Sequence, residues 1–74
     1  MNANQKIIFQ SLFDKFGTML LNKQQMAQVV NVSERTLDRH REKGFGCEYK
    51  IEGGRIYYPL DRVVMFLSKV NLTH

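Results

Sequence analysis

Two helix starts separated by only three residues constrain this chain more than any other feature. Asn22 is followed three residues later by Gln25. That is the spacing of a capping box, in which two side chains satisfy each other's free backbone N–H groups. Leu21 before the cap and Met26 after it have the spacing of a hydrophobic staple. The predicted helix runs from Lys23 to Val30. Ser33 is the second N-cap candidate, with Val32 and Leu37 at the same staple spacing. That helix is expected to span Glu34 to Lys43 and to stop at Gly44, with Lys43 near its C-terminal dipole. Only Asn31, Val32 and Ser33 lie between the two. Asparagine tolerates positive φ, so Asn31 can turn the chain sharply. Two short helices joined by such a turn form a helix-turn-helix.

The flanks add three elements. Phe9, Leu12, Phe13 and Phe16 fall at i, i+3, i+4 and i+7, so Asn4 to Phe16 reads as an amphipathic helix ended by Gly17. Thr18 to Leu21 reads as an extended link. Beyond Gly44 the period changes to two. Tyr49, Ile51, Ile56 and Tyr58 alternate with Lys50, Glu52, Arg55 and Tyr57, and Gly53-Gly54 supplies a two-residue hairpin turn. In that register Ile51 faces Ile56 and Tyr49 faces Tyr58, while Glu52–Arg55 and Lys50–Tyr57 pair on the other face. Pro59 ends the second strand. Leu60, Val63, Val64 and Leu67 then have helical spacing, with Asp61 in the first turn or cap.

At 74 residues the chain is one domain, residues 1–74, of which residues 1–20 form an N-terminal helical extension. The expected fold is α+β, mainly α: a small winged helix-turn-helix with an extra N-terminal helix and a two-stranded wing. A single cysteine, Cys47, cannot staple it, so stability rests on packing. The longest apolar run, Val63 to Leu67, is far short of the roughly 20 residues a membrane helix needs. Ile7-Ile8-Phe9 is too short for a signal-peptide core. The expected location is therefore cytoplasmic and nucleoid-associated, with no membrane partner. The net charge of +4 favours an anionic partner.

The run Val30-Asn31-Val32-Ser33-Glu34-Arg35-Thr36-Leu37, with small Ala27 before it and Gly53-Gly54-Arg55 after it, resembles the excisionase-like, MerR-like winged helix-turn-helix family of phages, plasmids and mobile elements. The resemblance covers about Leu21 to Leu67. Asn31 stands where that family has glycine, and both residues tolerate the same turn. The resemblance implies sequence-specific binding of double-stranded DNA. The role it implies is an excisionase-like recombination directionality factor, with an integrase or recombinase as partner, or a small transcriptional regulator acting with RNA polymerase. It also implies a monomer in cooperative arrays; a weak homodimer through the N-terminal helix is the alternative.

The residues support that expectation independently. With Met26, Val30, Val32 and Leu37 in a buried seam, the second helix turns Ser33, Glu34, Arg35, Asp38, Arg39 and Glu42 outward. Arg35 and Arg39, four apart, are base-reading candidates, because a guanidinium can fork onto guanine for about 1–3 kcal/mol of discrimination. Ser33 and Thr36 are candidate donors to phosphates or bases. Glu34 and Asp38 either read cytosine amino groups or orient the arginines. The bland alternative is a solvated face with Arg35–Asp38 and Arg39–Glu42 ion pairs. Gly53, Gly54, Arg55 and Lys50 form a candidate wing contact, whose bland alternative is a Glu52–Arg55 pair stabilising the turn. Lys23 and Arg41 complete the candidate phosphate contacts. His40 reads as a packing residue. Cys47, His40 and His74 lack zinc spacing, so no metal is expected. No nucleophile–base pair, paired catalytic carboxylates or phosphate-binding loop is present, so neither a cofactor nor an enzyme activity is expected. The rival of a different class is a protein-interaction module docking a partner through the aromatic N-terminal helix without DNA.

Overall fold

Helix starts in this chain are set by side chains that take over free N–H groups. The computed structural model describes residues 1–70, so His74 lies outside the described residues. Helix α1 spans Ala3–Phe16. Asn2 caps it: the Gln5 N–H donates to Asn2 Oδ1 at 2.8 Å, and the Asn2 N–H donates to Gln5 Oε1 at 2.9 Å. The helix therefore begins one residue before the position its apolar spacing indicated. Strand β1, Leu20–Asn22, leads into α2, Lys23–Val30. The expected capping box is present, with both Asn22–Gln25 bonds at 2.8 and 2.9 Å. Leu21 and Met26, the staple pair, are fully buried.

Asn31 sits in the left-handed region at φ 57°, the one non-glycine residue to do so among the described residues. Its conformation lets the Val32 N–H reach back to the Ala27 carbonyl at 3.1 Å, closing α2. Ser33 then caps α3, Glu34–Glu42, with its Oγ accepting from the Thr36 N–H at 3.1 Å. Helix α3 ends one residue before the expected Lys43, which caps it in an ordinary right-handed conformation.

Strands β2, Lys50–Glu52, and β3, Arg55–Pro59, form the expected hairpin, with Ile51 opposite Ile56 and Glu52 opposite Arg55. The expected link Thr18–Leu21 instead contributes β1, which pairs antiparallel with β3 and makes a three-stranded sheet of order β1-β3-β2. Tyr49 lies outside the ladder, although its ring centroid is 6.5 Å from that of Tyr58. Ile51 is 62 % exposed, because the hairpin tip projects past the core that its face was expected to cover. Helix α4, Leu60–Val70, follows directly, its first N–H held by the Met19 carbonyl at 2.8 Å.

The core is a small cluster of Leu21, Met26, Ala27, Leu37, Tyr58, Leu60, Val63 and Val64. Each large apolar side chain fully buried there contributes about 1.5–3 kcal/mol. Helix α1 lies along α4. Its Phe9, Leu12 and Phe16 pack against the cluster, whereas Phe13, expected on the same stripe, faces solvent.

The hairpin turn is built on Gly53 at φ 58° and Gly54 at φ 79°. A Cβ at Gly54 would meet nothing within 4 Å, so a side chain there is opposed by backbone strain alone. Gly54→Val should cost about 1–2 kcal/mol of left-handed strain. Thermal melting followed by circular dichroism should register this as a lower Tm with native helix content retained at room temperature. An unchanged Tm would contradict the positive φ.

Candidate nucleic-acid interface

Helix α3 turns one apolar residue, Leu37, fully into the core, and this fixes which residues face out. Ser33, Glu34, Arg35, Arg39 and Glu42 are exposed, and Thr36 is half-buried. Neither expected alternative pair forms: Arg35 does not meet Asp38, and Arg39 does not meet Glu42. Among the described residues, both arginines are exposed and free of ion pairs.

Asp38 is engaged elsewhere. Lys23 Nζ reaches its Oδ1 at 3.2 Å and its Oδ2 at 3.3 Å, and Arg41 Nη2 reaches Oδ1 at 2.9 Å. The carboxylate thus clips the start of α2 to the middle of α3. Its roles as a cytosine reader or as an orienter of Arg35 and Arg39 find no geometric support, because its partners are the other two cations. Arg41 also changes character. Its side chain is largely buried and lies 5.5 Å from the Tyr49 ring centroid, so it is a packing residue on the inner side of α3, not a free phosphate contact.

Partial desolvation pushes the Asp38 carboxyl up, but the hydrogen bonds from Lys23 and Arg41 outweigh it and hold the group below its ordinary value. A carboxyl whose folded pKa is depressed stabilises the fold above its unfolded pKa and loses that contribution as pH falls through the folded one. Thermal melts on an acid series should therefore show the parent losing stability below about pH 4 more steeply than Asp38→Asn. Equal slopes would mean that the clip contributes nothing.

The wing brings Gly53, Gly54 and Arg55 to its exposed tip. Glu52 stands opposite Arg55 in the expected register, but its carboxylate pairs with Lys50 at 2.9 Å, so the alternative Glu52–Arg55 ion pair does not form. Arg55 is left without an ion pair among the described residues, and Lys50 is partly neutralised. A groove between the starts of α2 and α3 and the wing gathers Lys23, Glu34, Gly54 and Arg55. Gln24 and Tyr57 line the same groove, and sequence reasoning missed both. The hairpin register, which puts Tyr57 opposite Lys50, carried a signal for Tyr57; Gln24 had none beyond its exposed helical position.

His40 is half-buried with its ring centroid 4.7 Å from that of Phe45, as a packing residue should be. Burial, with Glu48 and Asp61 nearby, pushes the Cys47 thiol up to about 12. No group of three His, Cys, Asp or Glu side chains able to hold a metal exists among the described residues. No described helix is long and apolar enough to cross a membrane. Compared with protein-family models, curated proteins and solved structures, the chain matches none of them.

Proposed function

We propose that this chain is a sequence-specific double-stranded DNA-binding protein and not an enzyme. Helix α3 enters the major groove, and the β2–β3 wing follows the adjacent backbone or minor groove. One observation carries the reading: Arg35 and Arg39 are exposed on one face of α3 and free of the ion pairs that would occupy them. Keeping two long cations unpaired on a helix of such regular capping suits recognition of an external acceptor, and guanine O6 and N7 accept a guanidinium fork. The glycine tip with Arg55 supports a second contact to backbone. The likeness of Val30 to Leu37 and Gly53-Gly54-Arg55 to excisionase-like sequences makes a recombination directionality factor, or a small transcriptional regulator, the proposed role. The corresponding partners are an integrase or RNA polymerase, at a cytoplasmic, nucleoid-associated site.

The interaction-module alternative loses support, because Phe9, Leu12 and Phe16 of the aromatic helix pack on their own chain. Selection of bound duplexes from a random pool tests the reading. It should return a short consensus containing guanine, and a pool that stays random after repeated rounds would overturn it.

A further inference from the structure

Strand β2 lies at one end of the three-stranded sheet, and all three of its residues are exposed. An outer strand offers its free backbone groups to any chain that can pair with it, and sheets commonly guard such edges with charge. What the charges on this edge admit depends on register.

The two-residue turn, with Gly53 and Gly54 both at positive φ, closes on a hydrogen-bonded pair, Glu52 with Arg55. Hydrogen-bonded and non-hydrogen-bonded pairs alternate along an antiparallel ladder. Lys50 therefore also spends its N–H and C=O on β3, whereas Ile51 turns both outward. Side chains alternate as well. Lys50 and Glu52 share one face, and Ile51 takes the other, with exposed Tyr49 next along it.

A second copy laid antiparallel on β2, about a two-fold axis at Ile51, meets this pattern with its own complement. Ile51 stands opposite Ile51, and the two exchange both backbone hydrogen bonds. Lys50 stands opposite Glu52 of the second copy, and Glu52 opposite its Lys50. Within each strand Lys50 Nζ already lies 2.9 Å from Glu52. The four charges thus form a square of alternating sign without breaking the pairs that exist. A register shifted by two residues sets Lys50 against Lys50 or Glu52 against Glu52, which like charge opposes. Tyr49 falls opposite Gly53 of the second copy, where the space of a side chain is open to 4 Å.

We propose that the outer edge of the wing is a pairing site for a second copy of this chain, β2 against β2, centred on Ile51. Only three residues a side take part, so the dimer is weak, with a Kd of about 1 mM. At the micromolar concentrations of sedimentation the chain is then a monomer. Arg55 lies on β3 and is not consumed by the pairing.

Dilution of the full chain from about 2 mM to about 0.05 mM, followed by amide chemical shifts, brackets that Kd. It uses no DNA, so failure leaves the reading of α3 untouched. Concentration-dependent shifts are expected to centre on Tyr49 to Gly53, with the Ile51 N–H moving most. Lys50→Glu and Glu52→Lys should each weaken self-association by about tenfold, because each sets like charges opposite one another in both cross-strand pairs. An equimolar mixture of these two variants should regain association, since each supplies the charge the other lacks. Both variants stay net positive, so the rescue is local to the strand. Adding Ile51→Glu to either variant should abolish that rescue. The proposal is overturned if no shift depends on concentration over this range, if the shifts map to exposed Ile7, Phe13 and Met65, or if the mixture associates no better than either variant alone.

Discussion

A chain beginning at Thr18 is expected to be largely unfolded at room temperature. Removing α1 strips Phe9, Leu12 and Phe16 from the core cluster and opens the side of α4 along which α1 lies. A fully buried side chain of these types contributes about 1.5–3 kcal/mol, so three partly buried ones are worth a few kcal/mol together. Newly wetted surface on α4 adds to the loss. Total stability for a domain of this length is about 4–11 kcal/mol, so the deletion removes much of it. Circular dichroism should show the helical signal collapsing, while the parent melts cooperatively and sediments as a monomer. A truncated chain that kept a cooperative melt would mean that α1 is an appendage; if the parent were also a dimer, α1 would be the dimer contact.

The double substitution of Arg35 and Arg39 by alanine should nearly abolish selective binding. Each guanidinium is worth about 1–3 kcal/mol of base discrimination, and every 1.4 kcal/mol is about a factor of ten. The two side chains are one turn apart, so their losses need not add in full. The combined loss on the preferred duplex is expected to reach about a hundredfold or more, with a much smaller change on scrambled duplexes. The Tm should barely move, because neither side chain is buried or paired. Fluorescence anisotropy on matched and scrambled duplexes measures both parts. A double variant that kept its selectivity would remove α3 as the reading element.

What the sequence revealed about this fold was local. Asn22 with Gln25, Asn31 at positive φ, Ser33 and the Gly53-Gly54 turn each act within four residues, and each stands where its chemistry indicated. Strand β1 was hidden because three residues are too few to show alternation, and only pairing with the distant β3 makes them a strand. The Asn2–Gln5 cap is equally local and has the same Asn-x-x-Gln spacing, but it lies ahead of the apolar stripe that marks α1.

The candidate site divides in the same way. Exposure of Arg35 and Arg39 followed from helical period once Leu37 was placed inward. The partners of Asp38 did not follow, because Lys23 lies fifteen residues away and meets it only across the α2–α3 packing. Arg41 stands four residues after Leu37, on the inward side of α3, so the helical period that turns Arg35 and Arg39 outward also carried the signal for its packing. Ile51 shows the converse: alternation gives a strand its two faces, but not how far the core extends beneath them.

The central claim is that α3 and the wing place a limited set of cations on a duplex. The dependence of affinity on salt tests it most directly. Arg41 is removed from that set by its packing, which leaves Arg35, Arg39 and Arg55, with Lys23 and Lys50 already engaged by carboxylates. If these three cations each neutralise one phosphate, log K should fall against log salt with a slope of about −3. Titrating the full chain onto its selected duplex by anisotropy at several salt concentrations gives that slope. A value near −3 is the predicted result, and a flat response, or no binding at low salt, would contradict the account.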